Sequence, residues 1–198
     1  EGAYTETLAN HKVEIVNQHA TVTRPNSVSL ADGTDISAGI ILIATGAWPV
    51  MPDFPGAEHG ITSNEVFHLE KLPERIVIAG GGYIANEFAG IFNELGSTVT
   101  VINRSDTILR GYDEQIPDRL LQISLTKGIR FLFNAPIDNV VKHDGGALTV
   151  RMKNGDALDC DALLFATGRA PNTEGLGLES AGVQIDVQGA VRVVDENP

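Results

Sequence analysis

Hydrophobic and polar residues alternate in short runs over the first part of the chain. Residues 13–16 and 28–30 are short alternating or β-branched runs separated by turn residues, a pattern that predicts a small antiparallel meander. Residues 39–46, GIILIATG, form a continuously apolar run that predicts a strand buried on both faces. Three prolines between residues 49 and 55 follow and are typical of a connector between domains.

From residue 75 the pattern changes to strand, turn, helix and strand. Residues 75–79, RIVIA, predict a short buried strand, and three glycines at 80–82 predict a tight turn. A helix is expected next, with Gly96 at its C-terminal end. Its predicted core face consists of Ile84, Phe88, Ile91, Phe92 and Leu95. With a further strand at 99–102, this βαβ unit implies a parallel sheet with a right-handed crossover.

The second half of the chain continues the mixed pattern. A helix is predicted between Asp113 and Lys127, with Pro117 in its first turn and Gly128 after its end. Asn154-Gly155 is the signal of a two-residue hairpin turn. Further strands are expected at 129–133, 137–141, 148–152, 161–168 and 191–194. The sequence therefore predicts an α/β fold, with a three-layer unit built on a parallel sheet and an antiparallel β-meander.

Composition narrows the classes of partner. The chain of 198 residues carries a formal net charge of −12, which disfavours nucleic acid and anionic membrane surfaces. No apolar run approaches the roughly 20 residues that a membrane span needs, and the chain starts without a signal segment, so we expect a cytoplasmic protein. The five histidines are scattered and predict no metal site.

Cys160 is the single cysteine, which excludes a dithiol redox centre within these 198 residues. It lies between Asp159 and Asp161, and two carboxylates are expected to raise the pKa of a thiol. We therefore interpret Cys160 as chemically inert.

Residues 80–85, GGGYIA, fit the dinucleotide-binding fingerprint G-x-G-x-x-G/A. In this interpretation Gly80 allows the tight turn, Gly82 lets the backbone approach a pyrophosphate, and Ala85 lets the helix pack closely on the strand. The N–H groups at the start of the helix then face the phosphates. The alternative is a glycine-rich turn that binds no ligand.

The end of the next strand bears on which nicotinamide cofactor fits. NAD-binding units usually have an acidic residue there for the ribose 2′-hydroxyl, but this chain has Asn103 followed by Arg104. Arg110 follows six positions later, so two guanidinium groups are available for a 2′-phosphate. This pattern favours NADPH, whereas the alternative is that both arginines are ordinary solvated surface residues.

Several longer stretches resemble one family. Residues 80–90, GGGYIANEFAG, 104–114 and 166–172, ATGRAPN, are similar to the glutathione reductases of the pyridine nucleotide-disulfide oxidoreductase family, as are 18–20 and 44–46. Lipoamide dehydrogenases share much of this pattern but carry an acid where Asn103 stands. Asn86 and Pro117 differ from the residues that the family usually has at these positions, and these differences bear only on local geometry.

The resemblance implies roles for individual residues. Tyr83 would be a gate whose ring covers the flavin until nicotinamide displaces it, and Glu87 would position a lysine near the flavin. The alternatives are a Tyr83 ring packed on the core and a solvated Glu87. The residues expected to line the NADPH site are Gly80, Gly81, Gly82, Tyr83, Ile84, Ala85, Glu87, Arg104, Arg110 and Gly168. Those expected on the FAD side are Ala20, Thr45, Gly46 and Arg169, with Ala20 near the adenine.

The same resemblance implies a domain order and an activity. Residues 1–50 would be the rear of an FAD-binding domain, 51–172 an NADPH-binding Rossmann-type domain, and 173–198 the truncated start of a central domain. The parent protein would be a homodimeric enzyme that passes electrons from NADPH through FAD and a dithiol to glutathione disulfide. The redox cysteines, the catalytic His-Glu pair and the FAD phosphate loop of the family are not in this sequence, so the chain would hold no catalytic residue and be incomplete on its own. Alternatives are a trypanothione or mercuric reductase, a soluble transhydrogenase, or a non-catalytic nucleotide-binding module.

Overall fold

The computed structural model describes residues 2–193, which fall into two compact units. The central unit consists of Ala47–Ala170, and the terminal unit combines Glu1–Gly46 with Pro171–Pro198. In chain order the described elements are α1 (Gly2–Asn10), β1 (Ala20–Arg24), β2 (Ser27–Leu30), β3 (Asp35–Ser37), β4 (Ala47–Pro49), β5 (Arg75–Ala79), α2 (Tyr83–Glu94), β6 (Thr98–Ile102), α3 (Gln115–Thr126), β7 (Arg130–Leu132), β8 (Ile137–Lys142), β9 (Leu148–Met152), β10 (Ala157–Cys160), β11 (Ala162–Phe165) and β12 (Arg169–Pro171).

A four-stranded parallel sheet forms the middle layer of the central unit, in the order β11-β5-β6-β7. Alternate residues of β5 point to opposite faces, as in any strand. Ile76 and Ile78 pack with the apolar residues of α2, whereas Val77 and Ala79 pack against the antiparallel sheet β10-β9-β8. The expected three-layer α/β fold, with a parallel sheet and an antiparallel meander, is confirmed.

The terminal unit contains the antiparallel sheet β1-β2-β3, which confirms a meander at the start of the chain. The prediction of a strand at residues 13–16 is wrong, because these residues follow α1 without strand hydrogen bonds and the meander begins at β1 instead. The helix α1 was not expected, and it buries none of its described residues.

The apolar run 39–46 does not form the expected buried strand. Ile40 is 89% exposed and Leu42 is 85% exposed. An apolar strand is buried only where neighbouring strands accept its hydrogen bonds and other layers cover its faces. Within residues 2–193 no strand pairs with 39–46, so the composition of the run alone does not make it a strand.

Helix α2 buries only part of the expected face, since Phe92 is buried and Phe88 packs against the same core. The buried residues are Ala85, Ala89 and Phe92, whereas Ile91 and Leu95 are at least half exposed. Small alanines let the helix lie close to the sheet, so the larger aliphatic residues remain outside the contact. Gly96 adopts a φ of 100° directly after the helix, as expected of a residue that ends it.

Most other predictions for the second half agree with the structure within a few residues. Helix α3 begins two residues before Pro117. The N–H groups in the first turn of a helix have no partner within the helix, so a proline there, which lacks an N–H, removes no hydrogen bond. At the end of the chain Val191 forms only an isolated bridge with Ile185, so no strand forms over residues 191–193. Val194, the last residue of that predicted strand, lies outside the described residues.

An ion pair ties the beginnings of the neighbouring strands β5 and β11. Nη2 of Arg75 lies 2.7 Å from Oδ1 of Asp161, and the backbone N–H of Arg75 donates to Oδ2 at 2.9 Å. These hydrogen bonds to Arg75 lower the pKa of Asp161 from its ordinary value. The carboxylate therefore stabilises the folded chain at neutral pH.

We expect Asp161→Asn to lower the melting temperature at pH 7. Because the pKa of Asp161 is lower in the folded than in the unfolded chain, its contribution is present above the unfolded pKa of about 4 and disappears as the pH falls through the folded pKa. The difference between wild type and variant should thus shrink when melting is followed at progressively lower pH. Asp35→Asn, on the exposed strand β3, is the matched control. A difference that grows as the pH falls would contradict this assignment.

Cys160 is fully buried in the core between the parallel sheet and the antiparallel sheet β10-β9-β8. Burial raises the pKa of its thiol to about 11, and the carboxylate of Asp161 adds a smaller increase in the same direction. The expected direction of the shift is therefore found, but its main cause is burial rather than the flanking aspartates.

We expect the Cys160 thiol to react with Ellman's reagent slowly in the folded chain at neutral pH and rapidly in guanidinium chloride. The buried thiol is both inaccessible and protonated, and only the thiolate attacks the reagent. Absorbance of the released thionitrobenzoate measures both rates. Equal rates in the two conditions would show that the thiol is accessible in the folded state.

Candidate nucleotide-binding site

The glycine turn lies at the carboxyl end of β5, between the ends of β11 and β6. Gly80 has a φ of 139° and donates its N–H to the carbonyl oxygen of Ile102 at 2.8 Å. A Cβ at Gly80 would lie 2.3 Å from the carbonyl oxygen of Ala166. Both the backbone conformation and the lack of space therefore require glycine at this position.

Gly82 and Ala85 occupy very different surroundings. A Cβ at Gly82 would meet no atom of the described residues within 4 Å, so the space beside this glycine is open. Ala85 is fully buried in the cluster that also contains Ile76 and Ile78. Helix α2 starts directly after Gly82, and the first N–H groups of a helix have no acceptor within it. The turn thus places open backbone directly before a helix N-terminus.

The two candidate arginines lie on the loop that connects β6 to α3. Both Arg104 and Arg110 are exposed, and neither forms an ion pair with any residue in the range 2–193. The buried side chains of Ile108 and Leu109 anchor this loop to the fold. The N–H of Leu109 donates to the carbonyl oxygen of Gly81 at 2.7 Å, so the loop is attached directly to the glycine turn.

Asn103 is directed into the arginine loop and is only 6% exposed. Its Nδ2 donates to the carbonyl oxygen of Thr107 at 2.6 Å and to Oγ of Ser105 at 3.0 Å. Sequence reasoning used Asn103 only as the place where an acid is missing. Its role in holding the loop could not be inferred from the sequence, because the side chain's direction depends on the fold.

Asn86 is a second residue whose contribution the sequence did not reveal. Its Nδ2 donates to the carbonyl oxygens of Gly82 at 2.8 Å and Gly81 at 3.2 Å, while its buried Oδ1 has no hydrogen-bond partner among residues 2–193. Asn86 therefore fixes the glycine turn from the side of α2. The spacing of four residues from Gly82 was the available signal, since side chains one helical turn along reach back to the preceding carbonyl.

Tyr83 and Glu87 both lie on the outer side of α2. Tyr83 is 52% exposed, and the two residues line a cavity of about 730 Å³ together with Leu109 and Tyr112. The structure thus brings Tyr83 and Glu87 together beside the glycine turn and the arginine loop. Ile84, between them in sequence, is half-buried.

Gly168 follows β11, the strand paired with β5, and has a φ of 141°. Its carbonyl oxygen accepts the N–H of Val50 at 3.0 Å. Within the described part of the chain, a Cβ at this glycine would meet no atom within 4 Å. All ten residues expected at the NADPH site therefore lie on the glycine turn, on α2, or on the segments that follow β6 and β11.

The residues expected on the FAD side are divided between the two units. In the terminal unit Oγ1 of Thr45 donates to the carbonyl oxygen of Asn172 at 2.7 Å, and Gly46 accepts the N–H of Asn172 at 3.0 Å. Ala20 lies on β1 opposite Leu30. In the central unit, Arg169 donates from Nη2 to the carbonyl oxygen of Ala47.

Residues 2–193 contain neither a metal-binding cluster nor a membrane-spanning helix. No group of three or more His, Cys, Asp or Glu side chains is placed to hold a metal ion there. None of the helices in that range is both long and apolar enough to cross a membrane.

Known sequences similar to this chain include glutathione reductases and a trypanothione reductase. Over 193 residues the chain is 46% identical to a glutathione reductase of Burkholderia cepacia, covering 98% of this chain and 42% of the relative. It is 39% identical to a glutathione reductase of Pisum sativum, described as chloroplastic/mitochondrial, with 97% and 35% coverage. A trypanothione reductase of Trypanosoma congolense is 38% identical, with 85% and 36% coverage. The chain thus spans about two-fifths of the length of these relatives.

Solved structures show the same fold. The HOCl-induced flavoprotein disulfide reductase RclA of Escherichia coli superposes with a TM-score of 0.86 at 30% identity, covering 98% of this chain and 45% of that structure. LpdA of Mycobacterium tuberculosis superposes with a TM-score of 0.78 at 27% identity, with 95% and 43% coverage.

The family model described as pyridine nucleotide-disulphide oxidoreductase matches residues 1–198. The resemblance stated from residues 80–90, 104–114 and 166–172 is therefore confirmed. Together with the parallel sheet and the glycine turn at its edge, this match establishes that the chain belongs to the pyridine nucleotide-disulphide oxidoreductase family.

Proposed function

We propose that this chain binds NADPH at the glycine turn of the central unit. The observation that carries the proposal is the hydrogen bond between the N–H of Leu109 and the carbonyl oxygen of Gly81. It attaches the loop bearing Arg104 and Arg110 to the turn whose open backbone suits a pyrophosphate. Of the two nicotinamide dinucleotides, only NADP(H) carries a 2′-phosphate in addition to the pyrophosphate.

The residues present fit such a ligand. Gly82 leaves its side of the turn open, and the start of α2 offers N–H groups to phosphate oxygens. Arg104 and Arg110 have no carboxylate partner among the described residues, so their guanidinium groups are available to an anion. In a chain of net charge −12, such a local pair of cations is needed to attract a phosphate.

The fit to FAD is more limited. The described chain has one glycine-rich turn between a strand and a helix, at Gly80–Gly82, and the proposal already assigns it to NADPH. Other parts of the flavin cofactor would be contacted by Ala20, Thr45, Gly46 and Arg169. Hydrogen bonds within the fold hold these residues in place. The flavin, when bound, would accept hydride from NADPH and pass on electrons.

For the parent protein we propose reduction of glutathione disulfide. The names of the Burkholderia and Pisum relatives support this substrate, and the family name supports a pyridine nucleotide and a disulfide. The trypanothione reductase at 38% identity makes trypanothione disulfide the second candidate. Turnover of the two disulfides by the full-length protein with NADPH would distinguish them.

Tyr83 and Glu87 are proposed to act where nicotinamide meets the flavin. The half-exposed ring of Tyr83, at the start of α2 and beside the glycine turn, is free to move without opening the core. Glu87, one turn further along the same side, places a carboxylate on the same cavity wall. This arrangement supports a gating ring and a carboxylate that positions a cation, as the resemblance implies.

The proposal extends to assembly and location. We propose a homodimeric, cytoplasmic parent protein that binds neither nucleic acid nor membranes, in keeping with the acidic net charge. The organellar name of the Pisum relative makes cell fractionation the appropriate test of location.

The 198-residue chain should bind NADPH roughly thirty-fold to several-hundred-fold more tightly than NADH, if each arginine contributes about 1–2 kcal/mol. Combined substitution of Arg104→Ala and Arg110→Ala should remove most of this preference and leave NADH affinity nearly unchanged. Titration calorimetry with both nucleotides measures the effect. The matched control is Arg151→Ala, on β9 of the antiparallel sheet β10-β9-β8. Equal affinities of the wild type for the two nucleotides would rule out the assignment.

Tyr83→Ala should change the melting temperature little and leave NADPH binding to the chain largely intact, because the ring is 52% exposed. Phe92→Ala, on the buried face of the same helix, should by contrast cost about 3–5 kcal/mol. In the full-length flavoprotein, Tyr83→Ala should alter flavin fluorescence. A loss of stability comparable to that of Phe92→Ala would instead indicate that Tyr83 supports the core.

A further inference from the structure

Gly81 is the residue at which the glycine turn and the arginine loop meet. Its carbonyl oxygen accepts hydrogen bonds from the N–H of Leu109 at 2.7 Å and from Nδ2 of Asn86 at 3.2 Å. Its Cα faces the side chain of Asn103. A Cβ at Gly81 would lie 2.4 Å from Nδ2 and 2.9 Å from Cγ of Asn103, which is closer than real Cβ contacts.

The amide of Asn103 cannot easily move away from that contact. The side chain is 6% exposed, and its Nδ2 is held by Thr107 and Ser105. The backbone of Asn103 is also fixed, since its N–H donates to Leu132 at 2.8 Å and its carbonyl oxygen accepts from Ala135 at 3.0 Å. Moving the amide would therefore break the hydrogen bonds that shape the loop.

We propose that Asn103 is a positioning residue for the 2′-phosphate site and that Gly81 is glycine in order to accommodate it. Asn103 holds the loop through Thr107, and this places Arg104 and Arg110 beside the glycine turn. The proposal rests on the proposed NADPH function and extends it. It assigns nucleotide preference to a buried amide that does not itself touch the ribose.

The chemistry of the contact requires an amide rather than a carboxylate. The carbonyl oxygen of Thr107 can only accept a hydrogen bond, and Nδ2 of Asn103 supplies the donor. An aspartate at 103 would be acceptor-only when ionised and would face that carbonyl with an uncompensated charge. It would also point into the loop rather than toward a ribose 2′-hydroxyl.

This geometry distinguishes the proposal from the usual role of this strand end. If residue 103 faced the ribose, Asn103→Asp would raise NADH affinity as it lowers NADPH affinity. If it positions the loop, Asn103→Asp should lower NADPH affinity on the order of tenfold and leave NADH affinity unchanged. Affinities of the 198-residue chain for NADPH, NADH and adenosine 2′,5′-bisphosphate measure the difference.

A second set of variants approaches the contact from the other side. Gly81→Ala should lower NADPH affinity because the new Cβ displaces the amide of Asn103. In Gly81→Ala/Asn103→Ala the displaced amide is gone, so the second substitution should cost little further affinity and the two effects should not add. Exchange of the Leu109 amide hydrogen should be faster in Gly81→Ala and in Asn103→Ala than in wild type. This measurement reports on the loop without any bound nucleotide. Melting temperatures identify variants that fail to fold.

The outcomes separate this proposal from the proposed function. If wild type shows no preference for NADPH over NADH, the proposed function fails and this inference fails with it. If wild type prefers NADPH and the arginine variants lose that preference, but Asn103→Asp and Gly81→Ala keep it, only the positioning role is overturned. A parallel fall in NADPH and NADH affinity, or a gain in NADH affinity, would likewise overturn it.

Discussion

The burial of β5 between two parallel neighbours and two covering layers constrains the rest of the central unit. Its backbone is paired with β11 on one side and β6 on the other, and alternate side chains enter two separate clusters of buried residues. The strand therefore has a single register, because a shift by one residue would exchange its two buried faces. The turn that follows β5, and with it the start of α2, is fixed by that register. The position of the candidate site is thus set by the hydrophobic core.

Polar contacts then determine the detailed shape of the site. Asn86 and Asn103 hold the glycine turn and the arginine loop with amide hydrogens, while the arginine side chains themselves remain unpaired among the described residues. Neutral amides suit this purpose, because they fix backbone carbonyls without adding a negative charge where a phosphate is expected. Asp106 lies on the same loop without pairing to either arginine among the described residues, whereas Asp161 and Glu94 form ion pairs with Arg75 and Lys127.

How far the sequence predicts the molecule depends on whether a feature is local. The βαβ unit, the glycine turn and the two arginines follow from residue types at short spacing, and the structure places all of them at one sheet edge. Residues 39–46 were misjudged because burial of an apolar run depends on distant partners. The exposure of Ile91 and Leu95 on α2 was misjudged because alanine size, rather than hydrophobicity, decided how closely the helix packs. The direction of Asn103 depends on Gly81, which lies 22 positions earlier in the sequence.

The first and third glycines of the turn are under different kinds of selection. At Gly80 the neighbouring strand and the left-handed backbone exclude a side chain, so any replacement is removed by selection for folding. At Gly82 no atom of residues 2–193 would contact an added Cβ, so only a bound nucleotide would preserve the glycine. A lineage that lost the nucleotide would therefore be expected to drift first at Gly82 and to keep Gly80, which makes the first glycine a record of the fold and the third a record of the ligand.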